Sequence, residues 1–254
     1  MTATVVDGSA TGARPSAHRI GTHETAIIAP AAVRDAASLV VVDLEHDEPR
    51  FLMGLRNRDH RFMPSVYVFP GGAVESGDLL LSSRFQLSLD ARTRLGAATT
   101  FDASCLSALP LAAIRETFEE TGEILGEDAA FAEPPENWAA FANEGYRPAC
   151  DGLVPVARAI TPPGYPIRYD ARFFACERAC LADRGQARVS SPGDELERLG
   201  WYSERDLKDM PLADITRRIL NDITLRLAAG TLLDPSRPMA FHHRENGSSA
   251  LDFL

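Results

Sequence analysis

Arg115-Glu116-Thr117-Phe118-Glu119-Glu120-Thr121-Gly122 places three carboxylates on one patch of a predicted helix and closes it with a glycine. Positions i, i+3 and i+4 share a helix face, so Glu116, Glu119 and Glu120 come together while Thr117 and Phe118 turn away. Such a cluster calls for a counter-charge. Hard divalent cations such as Mg²⁺ take clustered oxygen ligands and complete their shell with water and substrate phosphates, so the chemistry indicated is metal-assisted work on phosphate. An acidic helix face alone is more often simply solvated. Here Phe69-Pro70-Gly71-Gly72 lies upstream, and such a turn lets main chain approach a ligand closely.

The elements that must position these residues are legible in the pattern. Valine-rich Ala36 to Leu44 and Arg50 to Arg56 are expected strands, joined as a hairpin through Glu45-His46-Asp47-Glu48-Pro49, and Val66 to Phe69 is a third. Leu106 to Thr121 has the apolar spacing of an amphipathic helix, regular from about Pro110, with Gly122 as its left-handed stop. Pro134 to Gly145 suggests a short helix whose Trp138 and Phe141 favour the core over a base-stacking platform. Leu153 to Ile160, Arg168 to Cys176 and Leu199 to Tyr202 are further expected strands, and Ser203 is the expected N-cap of the acidic segment Glu204-Arg205-Asp206. Ile215, Ile219, Ile223 and Leu227 form the stripe of a helix over Leu212 to Ala229. Residues 236–254 read as an irregular tail. Within it, adjacent His242 and His243 point apart, which favours a solvated tail over a metal pair. Residues 1–24, without the apolar segment of a secretory signal, read as a disordered tail. Strands mixed with helices and no internal repeat suit a single α/β domain over 25–235.

Composition narrows the function. A chain of 254 residues can bury one large core. Its net charge of −10 excludes a general nucleic-acid binder, which needs a broad basic surface. No run approaches the roughly eighteen apolar residues of a membrane span. Lys208 is the only lysine, so 25 of the 26 basic residues are arginine, which suits bidentate phosphate contacts, although a genome-wide compositional bias explains the same count. Cys105, Cys150, Cys176 and Cys180 show neither a CxxC pair nor zinc-spaced histidines, so free thiols in a reducing cytoplasm are expected.

The order strand, Phe-Pro-Gly-Gly turn and acidic helix resembles the Nudix box, G-x5-E-x7-R-E-U-x-E-E-x-G-U, of the Nudix hydrolase superfamily. Its second half runs from Arg115 to Gly122, with Thr117 and Glu123 where the pattern has apolar residues. The first half begins at Gly72, and its isolated acid falls on Asp78. Thirty-six residues, Leu79 to Ile114, separate that acid from Arg115 where ordinary boxes have seven, an excess of 29. A box split in this way is similar to that of the peroxisomal coenzyme A diphosphatases, as is Thr161-Pro162-Pro163-Gly164 followed by Arg168 to Phe174. The insertion, approximately 79–107, is rich enough in leucine and arginine over Leu79 to Leu95 for a helix, either as a flap selecting substrate or as a surface excursion.

The resemblance implies an α/β/α sandwich with a mixed sheet, in which Glu116, Glu119, Glu120 and the Gly71 carbonyl ligate Mg²⁺ or Mn²⁺. It implies that Arg115 holds Asp78 and orients the acidic turn. The implied reaction is hydrolysis of the diphosphate linkage of a nucleoside diphosphate derivative, coenzyme A or an acyl-CoA by subgroup analogy, with ADP-ribose or a dinucleotide as the alternative. Glu116, Glu195 or Glu197 would take the proton of the attacking water. Arg56, Arg58 and Arg61, with Gly72, are candidates for substrate contacts, ordinary surface arginines being the competing reading; Arg168 and Arg172 are weaker candidates. A non-catalytic nucleotide-sensing module is the rival of another class. A homodimer, common in the superfamily, is compatible with all of these.

Overall fold

In a computed structural model the described residues are 1–2, 31–183, 195–245 and 247–254. Most of the expected N-terminal tail lies outside them. The chain forms β1 (Val33–Asp43), β2 (Arg50–Arg56), β3 (Tyr67–Val68), β4 (Gly71–Ala73), α1 (Ser76–Leu81), α2 (Leu89–Gly96) and α3 (Ala108–Thr121). Next come β5 (Gly126–Asp128), α4 (Ala139–Asn143), β6 (Tyr146–Pro148), β7 (Val154–Ile160), β8 (Arg168–Glu177), β9 (Leu196–Ser203), α5 (Glu204–Leu207), α6 (Asp214–Ala228), β10 (Ala240–Glu245) and β11 (Ser248–Phe253). Among the described residues nine strands make one mixed sheet in the order β11-β10-β7-β8-β1-β2-β3, with β4 beside β1 and β9 beside β2.

Strand β1 explains why this sheet can carry a site. Its run from Leu39 to Val42 is wholly buried because both sheet faces are covered, which is why the sequence there is continuous valine and leucine rather than alternating. One edge of β1 pairs in parallel with β8 along Val33 to Val42. The other edge is shared: Ala36 to Ser38 pair with β4, and Val42 and Asp43 with β2. The partner changes between Ser38 and Val42, beside the Pro70-Gly71-Gly72 run, where the Leu39 N–H donates to the Pro70 carbonyl at 3.0 Å.

Helix α3 covers one face, packing Leu109, Leu111, Ala112, Ala113 and Ile114 against Ala37, Leu39, Val41 and Phe174. Helix α6 covers the other, with Ile219, Leu220 and Ile223 against Val40, Val156, Phe173 and Ala175. This is the expected α/β/α sandwich. Gly122 ends α3 in the left-handed region at φ 74°, and its N–H bonds the Phe118 carbonyl. Ser203 caps α5 through a capping box with Asp206.

Three expectations change. Gly71–Ala73, read as a turn, is a short strand, because an extended Pro-Gly-Gly run can take up the open edge of β1. Residues 240–253, read as irregular, form the hairpin β10–β11, and β10 pairs in parallel with β7. His242 is therefore buried in a strand rather than solvated. Polar residues in β10 hide its strand character from the sequence, and only the free edge of β7 reveals it. The insertion, finally, is helical as expected, but in two pieces rather than one. It completes α1 and forms α2 with an intervening turn, and Leu81, Phe85, Leu95 and Leu106 enter the core beneath α3. Trp138 and Phe141 join the same core. The four cysteines are free thiols.

Candidate active site

Arg115 organises the acidic turn. Its side chain is buried and all its donors are used: Nε and Nη2 donate to the two oxygens of Asp78 at 3.1 and 3.0 Å, Nη2 also to the Ala73 carbonyl at 3.0 Å, and Nη1 to Glu116 and Glu119 at 3.0 Å each. Asp78, fully buried in α1, also accepts from Trp138 Nε1 at 2.9 Å and from the Glu75 N–H at 2.9 Å. The acid that directly precedes the insertion thus anchors α3. Burial works against the Arg115 charge, but Asp78, Glu116 and Glu119 outweigh it and hold the guanidinium protonated.

The glycines meet the same turn from the sheet. The Gly71 N–H donates to Glu120 Oε2 at 2.8 Å, tying β4 to α3. Gly71 stands at φ 156°, where a Cβ would strike Ser38 and the Ala37 carbonyl; at Gly72 a Cβ would strike the Glu116 carboxylate. Only glycine leaves room for that carboxylate. Burial pushes the Glu116 carboxyl up to about 7, with Arg115 opposing and Glu119 and Glu195 adding to the rise. Burial likewise raises Glu120 well above the ordinary carboxylate range, and Glu119 less.

The donors suit a hard divalent cation in kind. They are all oxygen, and the half-buried Glu116 and buried Glu120 would carry charge that a cation relieves. In arrangement they are not gathered: among the described residues no three acidic, histidine or cysteine groups stand close enough to hold a metal ion. Helical spacing brings the glutamates to one face, but each side chain then turns to the nearest donor. Glu116 and Glu119 bond Arg115, and Glu120 bonds Gly71.

Glu116, Gly71 and Gly72 line a cleft of about 730 Å³ on the α6 side of the sheet. Of the three candidate arginines only Arg56 lines it; Arg58 and Arg61 are exposed and do not. Arg56 Nη1 donates to the Phe62 carbonyl at 3.0 Å, and its charge works against the rise at Glu120. Arg172 is wholly buried and bonded to Asp35 and Thr99, and Arg168 donates to the Thr161 carbonyl at 3.0 Å. Neither lines the cleft, and no residue of the insertion does. Glu195 lines it and Glu197 does not.

Sequence reasoning missed the aromatic wall. Phe62 and Tyr169 meet edge-on at 5.0 Å, and Arg34 lies over Tyr169 at 5.9 Å. Met63 and Ser65 hold left-handed φ values of 50° and 58°, so the loop that carries Phe62 is set in an uncommon conformation. His60 Nδ1 lies 2.8 Å from the Phe62 carbonyl. The signal was present as an aromatic and a histidine among the cations of Arg58 to Phe62.

No family model and no curated protein matches the chain. Among solved structures it is similar to a Nudix hydrolase from Alicyclobacillus acidocaldarius, at 26% identity and a TM-score of 0.58, over 75% of this chain and 90% of that one. A MutT Nudix hydrolase from Burkholderia pseudomallei matches at 19% identity and 0.42, over 76% and 98% of the two chains. One from Nitrosomonas europaea matches at 14% and 0.41, over 79% and 91%. The sandwich is that of the Nudix fold. Its fold and its likeness to the Alicyclobacillus protein support a Nudix hydrolase. Nudix hydrolases generally use divalent metals.

Proposed function

We propose that the protein hydrolyses the diphosphate linkage of a nucleoside diphosphate derivative with a divalent metal, Mg²⁺ or Mn²⁺. The observation that carries this reading is the buried excess of carboxylate around Arg115, set at one end of a cleft large enough for a nucleotide. Glu116, Glu119, Glu120 and the Gly71 carbonyl would hold the metal, which would neutralise non-bridging oxygens and lower the pKa of the attacking water. Arg115 orients the two glutamates it bonds, and Asp78 fixes Arg115. Glu116 or Glu195 takes the water's proton; Glu195 is preferred over Glu197 because only it lines the cleft. Arg56 is placed to meet a phosphate oxygen.

Coenzyme A or an acyl-CoA is the substrate favoured, by the split box, over ADP-ribose or a dinucleotide. The rival, a nucleotide-sensing module without turnover, draws on one observation: Arg115 already engages Glu116 and Glu119. Purified protein incubated with CoA, acyl-CoAs, ADP-ribose, dinucleotides and nucleoside triphosphates in Mg²⁺ or Mn²⁺ separates the readings. Release of two products, each ending in one phosphate from the cleaved diphosphate, is expected; binding without product from any member would establish the rival. The free thiols favour a cytoplasmic setting. Among the described residues no helix is long and apolar enough to cross a membrane.

A further inference from the structure

The cleft has a second charged end, built from α6 and β10. Asp222 on α6 engages His242, its Oδ2 lying 2.6 Å from His242 Nε2. His242 lines the cleft and is 7% exposed; its Nδ1 is closed off from solvent and has no partner among the described residues, so the ring serves to hold β10 against α6. Further along the seam, Arg226 Nη2 donates to the Pro238 carbonyl at 2.5 Å. These two contacts set α6 and β10 antiparallel. Arg218, one helical turn before Asp222, and Arg244, two residues beyond His242 on the same strand face, therefore project toward the same region. Both line the cleft.

Neither arginine side chain has an ion-pair or hydrogen-bond partner among the described residues. Asp214, one turn before Arg218, also lines the cleft without reaching it as an ion pair, and Glu245 beside Arg244 is exposed. Two like charges and an imidazole oriented by a carboxylate thus share one wall, while Glu116 and Glu195 occupy the other end. A substrate with charge only at its scissile diphosphate would leave this wall unused.

We propose that Arg218 and Arg244, on a wall positioned by the His242–Asp222 pair, bind a phosphate monoester that the substrate carries apart from the diphosphate being cleaved. Two guanidinium forks without partners at the wall of a cleft match the oxygens of such a group. The inference rests on the diphosphate hydrolase reading for the placement of the substrate. It narrows the substrate class to nucleotides with an additional ribose phosphate.

The test compares substrates that differ only in that phosphate: coenzyme A against 3′-dephospho-coenzyme A, and NADPH against NADH, in Mn²⁺. Wild-type protein should favour the phosphorylated member in kcat/KM by about tenfold or more in at least one pair, the gain expected of a charge-assisted hydrogen bond. Arg218→Ala with Arg244→Ala, both exposed positions, should bring that ratio toward one, and His242→Gln should reduce it through KM. Equal rates for both members in wild type, or a ratio undiminished in the double variant, would overturn the proposal. Calorimetric binding of adenosine 3′,5′-bisphosphate against AMP, without metal, reads the same wall independently of turnover. Absence of product from every pair would sink the hydrolase reading; equal affinity for the two nucleotides would sink this one.

Discussion

Two buried arginine networks hold this molecule together, and they differ in net charge. Around Arg115 one guanidinium faces three carboxylates, Asp78, Glu116 and Glu119, with Glu120 alongside. Around Arg172 two guanidiniums face two carboxylates: Arg172 bonds Asp35 at 2.5 Å and Asp170 at 3.2 Å, and Arg158 bonds Asp170 at 2.7 Å. Both networks also fasten the insertion. Arg115 holds Asp78, the residue directly before it, and Arg158 Nη1 ties a later stretch through the carbonyls of Ala97 and Ala98 at 3.1 and 2.9 Å. The balanced network has no charge left to offer a ligand and serves the fold. The unbalanced one keeps buried negative charge that only a cation from outside can match.

The largest expected effect breaks the balanced network. Asp170→Ala leaves Arg158 and Arg172 facing each other without their shared acid, and should cost about 3–5 kcal/mol of stability in chemical denaturation. Turnover per folded molecule should change little, because neither arginine lines the cleft. A comparable loss of turnover at unchanged stability would remove the distinction between the networks. Glu119→Gln and Glu120→Gln act on the other side of the comparison. Each should lower kcat by roughly a hundred- to a thousandfold, because metal coordination supplies several kcal/mol of transition-state stabilisation, while the thermal midpoint stays at or above that of wild type. Hydrolysis at wild-type rates by both variants would remove the site assignment.

Gly72→Ala is expected to be milder, about 1–3 kcal/mol, because the new methyl group must displace the Glu116 carboxylate or shift β4. Its effect should appear mainly as weaker Mn²⁺ activation. The smallest effect is on pH. Burial raises Glu116 and Glu120 in the folded chain, so the folded state binds their protons more tightly than the unfolded state does. Metal-free stability from these groups is therefore fully present below their ordinary values and falls as pH rises toward about 7, the Glu116 value. Thermal midpoints in EDTA should drop by a few degrees across that window, and Mn²⁺ should restore them. A midpoint in EDTA that rises over the same window would contradict the buried excess.

Residue types and local spacing determined a large part of this protein. The apolar run of β1, the stripe of α6, the amphipathic helix closed by Gly122 and the Phe-Pro-Gly-Gly turn each arise from side-chain periodicity or from the backbone properties of glycine and proline, which act within a few residues. With them came the acidic helix face and its resemblance to the Nudix box. The tertiary structure alone decided which long-range partner each charged group found. It turned Glu116 and Glu119 toward Arg115 and made Arg172 a structural residue. It set the insertion in the core, with none of its residues lining the cleft, and placed His242 in a strand beside β7. It also brought Phe62 to Tyr169 and set Arg218 and Arg244 in the lining of one cleft. Periodicity specifies which face a residue occupies; burial and the nearest available counter-charge, reached across tens or hundreds of residues of sequence, specify what it does there.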